Sequence, residues 1–165
     1  MIFHCCDKLR RDKVAAHPTL NGIDYLEVID RELPLLDPTR QRTLLVYCLK
    51  PLPSGFSRGN VVLRGGERVK NIQVEWAASA SPLPAQLSSP AEASTAAIVA
   101  ARPSPKNILV VRVAEPGDYS TYTLRFVAAG EFRSAVRRHR FLVQGRVPLG
   151  LRLQAGPSVS GSRSR

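Results

Sequence analysis

The stretch that decides the fold runs from Asn107-Ile108-Leu109-Val110-Val111-Arg112-Val113, through Pro116-Gly117-Asp118, to Tyr119-Ser120-Thr121-Tyr122-Thr123-Leu124-Arg125-Phe126. Two runs rich in β-branched and aromatic residues flank a Pro-Gly-Asp turn, which is the pattern of two successive strands. In the second run Tyr122, Leu124 and Phe126 share one face while Thr121, Thr123 and Arg125 share the other. One side of that strand therefore packs and the other meets water.

The turn at Gly117-Asp118, with Tyr122 following at short spacing, resembles the corner that leads into the penultimate strand of immunoglobulin-like sandwiches. There a tyrosine hydroxyl bonds back to nearby backbone and pins the crossing between sheets. Tyr122 is the residue placed for that role; a plain core aromatic is the blander reading of the same position.

Working outward, Ile23 to Ile29 suits a strand, introduced by the turn signal Asn21-Gly22. Thr43-Leu44-Leu45-Val46-Tyr47-Cys48-Leu49 is continuously apolar and stopped by Pro51 and Pro53, as in a strand buried on both faces. Asn60 to Arg64 and Arg68 to Ala77 flank Gly65-Gly66-Glu67, read as a hairpin turn. In the second arm Ile72, Val74 and Trp76 fall on one face and Asn71, Gln73 and Glu75 on the other, so Trp76 is assigned to the core. Residues 5–17 offer a short helix ahead of Pro18. Residues 78–106 are Ala-, Ser- and Pro-rich without periodicity and are expected to form a flexible loop.

Six short strands with no alternating helices give an all-β, immunoglobulin-like β-sandwich. The domain spans 21–127, with an N-terminal extension at 1–20 and a basic, disordered tail at 128–165 that leaves the sandwich short of its last strand. The length of 165 residues suits one domain with a real core. No apolar run reaches the ~20 residues needed to span a bilayer, and the start has no signal-peptide pattern. A cytoplasmic chain with no membrane contact is expected.

The chain carries a net charge of +11, unevenly spread. Residues 130–165 hold eight Arg and one Glu, or +7, which leaves 11 − 7 = +4 for the first 129. The body therefore lacks an electrostatic footprint for phosphate. Arg137, Arg138 and Arg140 are the candidate nucleic-acid contacts, without interleaved aromatics to stack bases.

Candidates for chemistry are few. His4, Cys5 and Cys6 have metal-ligating side chains, but adjacent cysteines fit one tetrahedral ion poorly, and no CxxC or HxxxH partner follows. Cys48 sits in an apolar run and reads as a small hydrophobe. No nucleophile motif of the type G-x-S-x-G is present. Gly65-Gly66 is not followed by the Lys-Ser/Thr of a phosphate loop. The expectations are no enzyme activity, no cofactor, no metal and no small-molecule substrate. Gly65, Gly66, Trp76, Gly117, Asp118 and Tyr122 are the residues expected to matter structurally.

These residues also resemble a bacterial family. His4-Cys5-Cys6-Asp7, Asn21 to Val28, Arg40 to Leu44, Asn60-Val61, Gly65 to Val69, Leu109 to Val113 and Gly117 to Leu124 follow in order the start of baseplate assembly proteins of phage-tail-like contractile injection systems. The resemblance covers roughly residues 3–127, with 78–106 matching poorly. It implies a structural module whose partners are other baseplate proteins, and it brings no catalytic residues. Members of that family run on for several hundred residues. The Arg-, Ser-, Gly- and Leu-biased tail instead reads like a GC-rich gene out of frame, so a truncated or frameshifted product diverging near Ala128–Phe132 is the expectation. Two other functions stay open: a nucleic-acid binder using the Arg-rich tail, and a ligand- or carbohydrate-binding sandwich.

Overall fold

The computed structural model describes residues 2–4, 8–118, 120–127 and 145–146. In chain order the elements are β1 (Ile2–His4), α1 (Lys8–Ala16), β2 (Ile23–Val28), β3 (Thr43–Cys48), β4 (Val61–Gly65), β5 (Val74–Ser79), α2 (Ala93–Ala100), β6 (Ile108–Val113), β7 (Thr121–Phe126) and β8 (Gly145–Arg146). They build a five-stranded sheet in the order β1-β2-β3-β6-β5 and a three-stranded sheet in the order β4-β7-β8. Every ladder is antiparallel. The all-β, two-sheet class expected from the strand pattern is what forms.

β3 and β6 lie at the centre of the larger sheet, and all six residues of each are buried. Their continuous apolar character follows from burial on both faces. On the inner face Leu26, Leu44, Val46, Leu109 and Val111 join Val61, Tyr122 and Leu124 of the smaller sheet in one cluster. On the outer face Leu45, Tyr47, Ile108 and Val110 join Ile29, Leu33, Leu87 and Val99 in a second. Burying each such aliphatic side chain contributes roughly 1.5–3 kcal/mol, so these two clusters dominate the favourable side of folding.

The second cluster corrects the expectation for residues 78–106. Instead of a flexible loop, this segment forms 3₁₀ turns at Ala85–Leu87 and Pro90–Glu92, the helix α2, and a further 3₁₀ turn at Pro105–Asn107. Leu87, Thr95 and Val99 are buried beneath it. α2 reads Ala-Ser-Thr-Ala-Ala-Ile-Val-Ala, and such small residues show no amphipathic stripe. Alanine favours the helix all the same, and Thr95 and Val99, four apart, share its buried side.

The supposed Gly65-Gly66-Glu67 hairpin is also corrected. β4 and β5 belong to different sheets, so the chain crosses between sheets here. Regular pairing of the second arm begins only at Val74. Trp76 changes face for a related reason. Val74 pairs with Val113 and Trp76 with Arg112, so two steps on β5 oppose one on β6. This bulge leaves Ile72 and Val74 with the inner cluster and turns Trp76 onto the outer one.

The chain ends contribute strands as well. Ile2, Phe3 and His4 pair with Glu27, Leu26 and Tyr25, which makes part of the expected extension an edge of the larger sheet. Gly145 and Arg146 pair with Tyr122 and Thr121, so the smaller sheet holds a short third strand where none was expected. The rest of 128–165 lies outside the described residues.

Candidate functional site

Polar chemistry gathers at three places, each built by sheet geometry. The first is the corner ahead of β7. The Tyr122 hydroxyl accepts the Asp118 backbone N–H at 3.0 Å. Its own proton lies between the Val69 carbonyl at 2.8 Å and Asp118 Oδ1 at 3.0 Å. Asp118 Oδ2 in turn accepts the N–H groups of Arg68 at 2.6 Å and Val69 at 2.9 Å. Its Oδ1 accepts the Ser120 N–H at 3.0 Å and the Ser120 hydroxyl. That hydroxyl, followed by the amides of Val69, Arg68 and Ser120, holds the Asp118 carboxyl well below the usual carboxylate range.

Gly65 and Gly66 complete this corner. Their φ angles are +122° and +87°, where side chains are rarely accommodated. A Cβ on Gly66 would lie 1.9 Å from the Val69 carbonyl and 2.8 Å from the Tyr122 hydroxyl. The tyrosine thus ties the sheet-crossing segment 66–69 to the turn that carries Gly117 and Asp118.

The second place is the outer face at β5 and β6. Arg112, only 3% exposed, donates from Nη1 to Glu92 Oε1 at 2.9 Å and from Nη2 to Oε2 at 2.5 Å. Its guanidinium carbon lies 5.6 Å from the centre of the Trp76 ring, close enough for a cation–π contact. Trp76 is thereby engaged within the fold, and is no free platform for a sugar or a base.

The third place is the other end of that face. Glu27, 6% exposed, accepts Arg102 Nη2 at 2.8 Å and the Tyr47 hydroxyl at 3.0 Å. Arg102 also reaches Glu32 at 3.2 Å. Tyr25 and Tyr47 stack with centroids 4.0 Å apart. Burial, and then the neighbouring Glu27 carboxylate, raise the Tyr47 hydroxyl well above its ordinary pKa. Sequence reading missed Arg112, Glu92, Glu27 and Arg102. The available signal was a charge inside a strand otherwise buried on both faces, as in Ile-Leu-Val-Val-Arg-Val.

In these clusters the carboxylates, guanidinium tips and tyrosine hydroxyls bond one another across the fold, while Arg102 Nε and Arg112 Nε are buried without a hydrogen-bond partner among the described residues. Among the described residues no group of three or more His, Cys, Asp or Glu is placed to hold a metal ion. Cys48 is free and buried, and burial pushes its thiol up to about 12, away from nucleophilic reactivity. A cleft of about 290 Å³ opens over Phe56 and Phe126, walled by Pro18, Leu52 and Pro53. The Asn21 side chain at its rim bridges the Lys50 carbonyl at 2.9 Å and the Gly22 and Lys50 amides at 2.8 and 2.9 Å. Cys5, Cys6, Arg137, Arg138 and Arg140 lie outside the described residues.

The family model for the phage baseplate assembly protein, N-terminal domain, matches residues 1–142. The chain belongs to that family. Comparison with curated proteins and with solved structures found no match. The matched region of this baseplate assembly domain takes in β1 to β7, all three polar clusters and the 78–106 cover. It also runs past Ala128–Phe132, where the reading of the sequence placed a divergence. The role that membership carries is a structural one in the baseplate. No helix among the described residues is long and apolar enough to cross a membrane.

Proposed function

We propose that this chain is an assembly module of a phage-tail-like contractile injection system, working through protein–protein contacts with other baseplate proteins and without catalysis. The observation that carries the reading is the family match across residues 1–142. The geometry supports it, because Asp118, Glu27, Glu92, Arg102 and Arg112 all bond within the fold. Their chemistry serves to hold two sheets and a cover in register, as a rigid building block requires. Assembly takes place in the cytoplasm on this reading.

The test is co-expression of the full chain with the other baseplate proteins of the same particle, followed by affinity capture and sizing. Capture of at least one of them in fixed stoichiometry is expected. A folded chain that captures none, yet binds DNA or RNA with an affinity falling steeply with salt, overturns the reading in favour of the Arg-rich tail.

A further inference from the structure

We propose that the free edge of β4 accepts an extended segment of alternating apolar and acidic residues from a partner baseplate protein as an added strand. This rests on the assembly reading above and names the surface through which it acts.

Among the described residues β4 is the last strand of its sheet, with β7 on one side only. The Val127 N–H bonds the Asn60 carbonyl and the Gly66 N–H bonds the Thr121 carbonyl. In an antiparallel ladder the bonded positions alternate, so Val62 and Arg64 direct their peptide groups at β7. The Val61 carbonyl, both groups of Leu63 and the Gly65 N–H then point away. Among the described residues none of these outward groups is bonded to another strand. Val61 and Leu63 line a groove of about 260 Å³ between β4 and the Asn71–Val74 approach to β5. An unpaired edge beside a groove is the geometry used in strand addition, where main-chain bonds supply affinity and alternate side chains supply specificity.

Charge selects the occupant. Arg58, Arg64, Arg68 and Lys70 are exposed around this edge, with Glu67 as the exposed acid in the same stretch. Two other carboxylates lie nearby, both engaged within the fold: Glu75 is held by Arg42 at 2.9 Å, and Asp118 accepts the Arg68 and Val69 amides and the Ser120 hydroxyl. Arg125, opposite Val62 on β7, adds a further cation beside the edge. A second copy pairing β4 to β4 would bring two such sets of cations together. An acidic strand neutralises one instead. Side chains of the added strand that face inward would lie beside Leu63 and Val74, which pack on the inner core. Those facing outward would lie beside Val62 and Arg64. The preferred sequence therefore alternates apolar with acidic, over about five residues to match Val61–Gly65.

The test follows amide hydrogen exchange in the full chain with two synthetic peptides, one alternating Val and Glu, the other Val and Lys. The Val/Glu peptide should slow exchange at Leu63 and Gly65 by about tenfold or more. Val62 and Arg64, already bonded to β7, should change little. The Val/Lys peptide should give no protection, and the double variant Arg58→Glu, Arg64→Glu should abolish the Val/Glu effect. If lost protection at Val110 shows that variant to be misfolded, Arg64→Gln takes its place and should weaken the effect. Unchanged exchange at Leu63 and Gly65 with millimolar Val/Glu peptide, or equal protection by Val/Lys, overturns the proposal. If the chain still captures baseplate proteins in that case, the edge fails and the assembly reading stands; failure of both experiments removes both.

Discussion

The two faces of the five-stranded sheet are covered by different means. On the inner face Leu44, Val46, Leu109 and Val111 meet the apolar residues of a second sheet. Among the described residues no ion pair joins the two sheets. On the outer face a similar apolar floor meets a segment built from Ala, Ser and Pro, whose deeply buried aliphatic side chains are Leu87 and Val99. There Arg112–Glu92 and Arg102–Glu27 clamp the cover at two points. Apolar burial is non-directional and scales with area. A wide sheet is held firmly by it, whereas a small-residue cover gains little area and takes its position from directed charge pairs. Such pairs carry a large desolvation cost, so their contribution is to register more than to net stability.

The largest expected effect lies on the inner face. Leu109→Ala should lower the unfolding free energy by about 4 kcal/mol, since a fully buried leucine leaves a cavity that sheet packing cannot close. Urea denaturation read by Trp76 fluorescence measures it. A loss below about 1 kcal/mol would mean that the inner core is loosely packed and the contrast between faces is false.

On the outer face Arg112→Ala should cost about 3 kcal/mol, because it strands the Glu92 carboxylate in a half-dry site. Arg112→Met, which keeps the volume, should restore most of that loss while speeding amide exchange in α2. An Arg112→Met variant as unstable as Arg112→Ala would show that charge holds the cover thermodynamically as well as in register.

Next comes the corner that links the sheets. Tyr122→Phe should cost about 2 kcal/mol, because the Val69 carbonyl and the Asp118 N–H lose a shared partner. Thermal unfolding of the two proteins side by side checks this, and an unchanged midpoint would reduce Tyr122 to a core aromatic.

The smallest effect is on pH dependence. The Tyr47 hydroxyl has a folded pKa raised above its unfolded value of 10.0. Its protonated state is therefore favoured by folding, and that stability is fully present below the unfolded pKa and lost as pH rises beyond it. Tyr47→Phe should flatten the alkaline fall in the urea midpoint above about pH 10, on top of a pH-independent loss of about 1.5 kcal/mol near neutrality from the missing bond to Glu27. An identical alkaline limb in the variant would place the titration at another tyrosine.

Much of this arrangement is legible from local sequence. The runs Thr43–Cys48 and Ile108–Val113 announce strands buried on both faces, and the alternation in Thr121–Phe126 marks a strand with one packed side. The 78–106 cover was not legible, because α2 buries mainly Thr95 and Val99 and its small residues carry no hydrophobic stripe. Nor was the face of Trp76, since strict alternation from Ile72 puts it on the wrong side when a bulge intervenes at Glu75. The buried charges could have served as a clue: a strand buried on both faces that contains Arg112 or Glu27 demands a partner, although nothing local says which one.

The sequence by itself determined where β2, β3, β4, β6 and β7 form, that β3 is buried on both faces, and that a Gly-Asp turn precedes Tyr122, since each depends on period, propensity and neighbouring residues. Only the tertiary structure decided that β4 and β5 join different sheets, that Trp76 faces the outer layer, that Glu92 and Glu27 meet arginines 20 and 75 residues away, and that among the described residues one edge of β4 has no strand beside it. The physical reason is that strand partners, bulges and ion pairs belong to two segments at once. Their energies depend on contacts that no single stretch of chain contains.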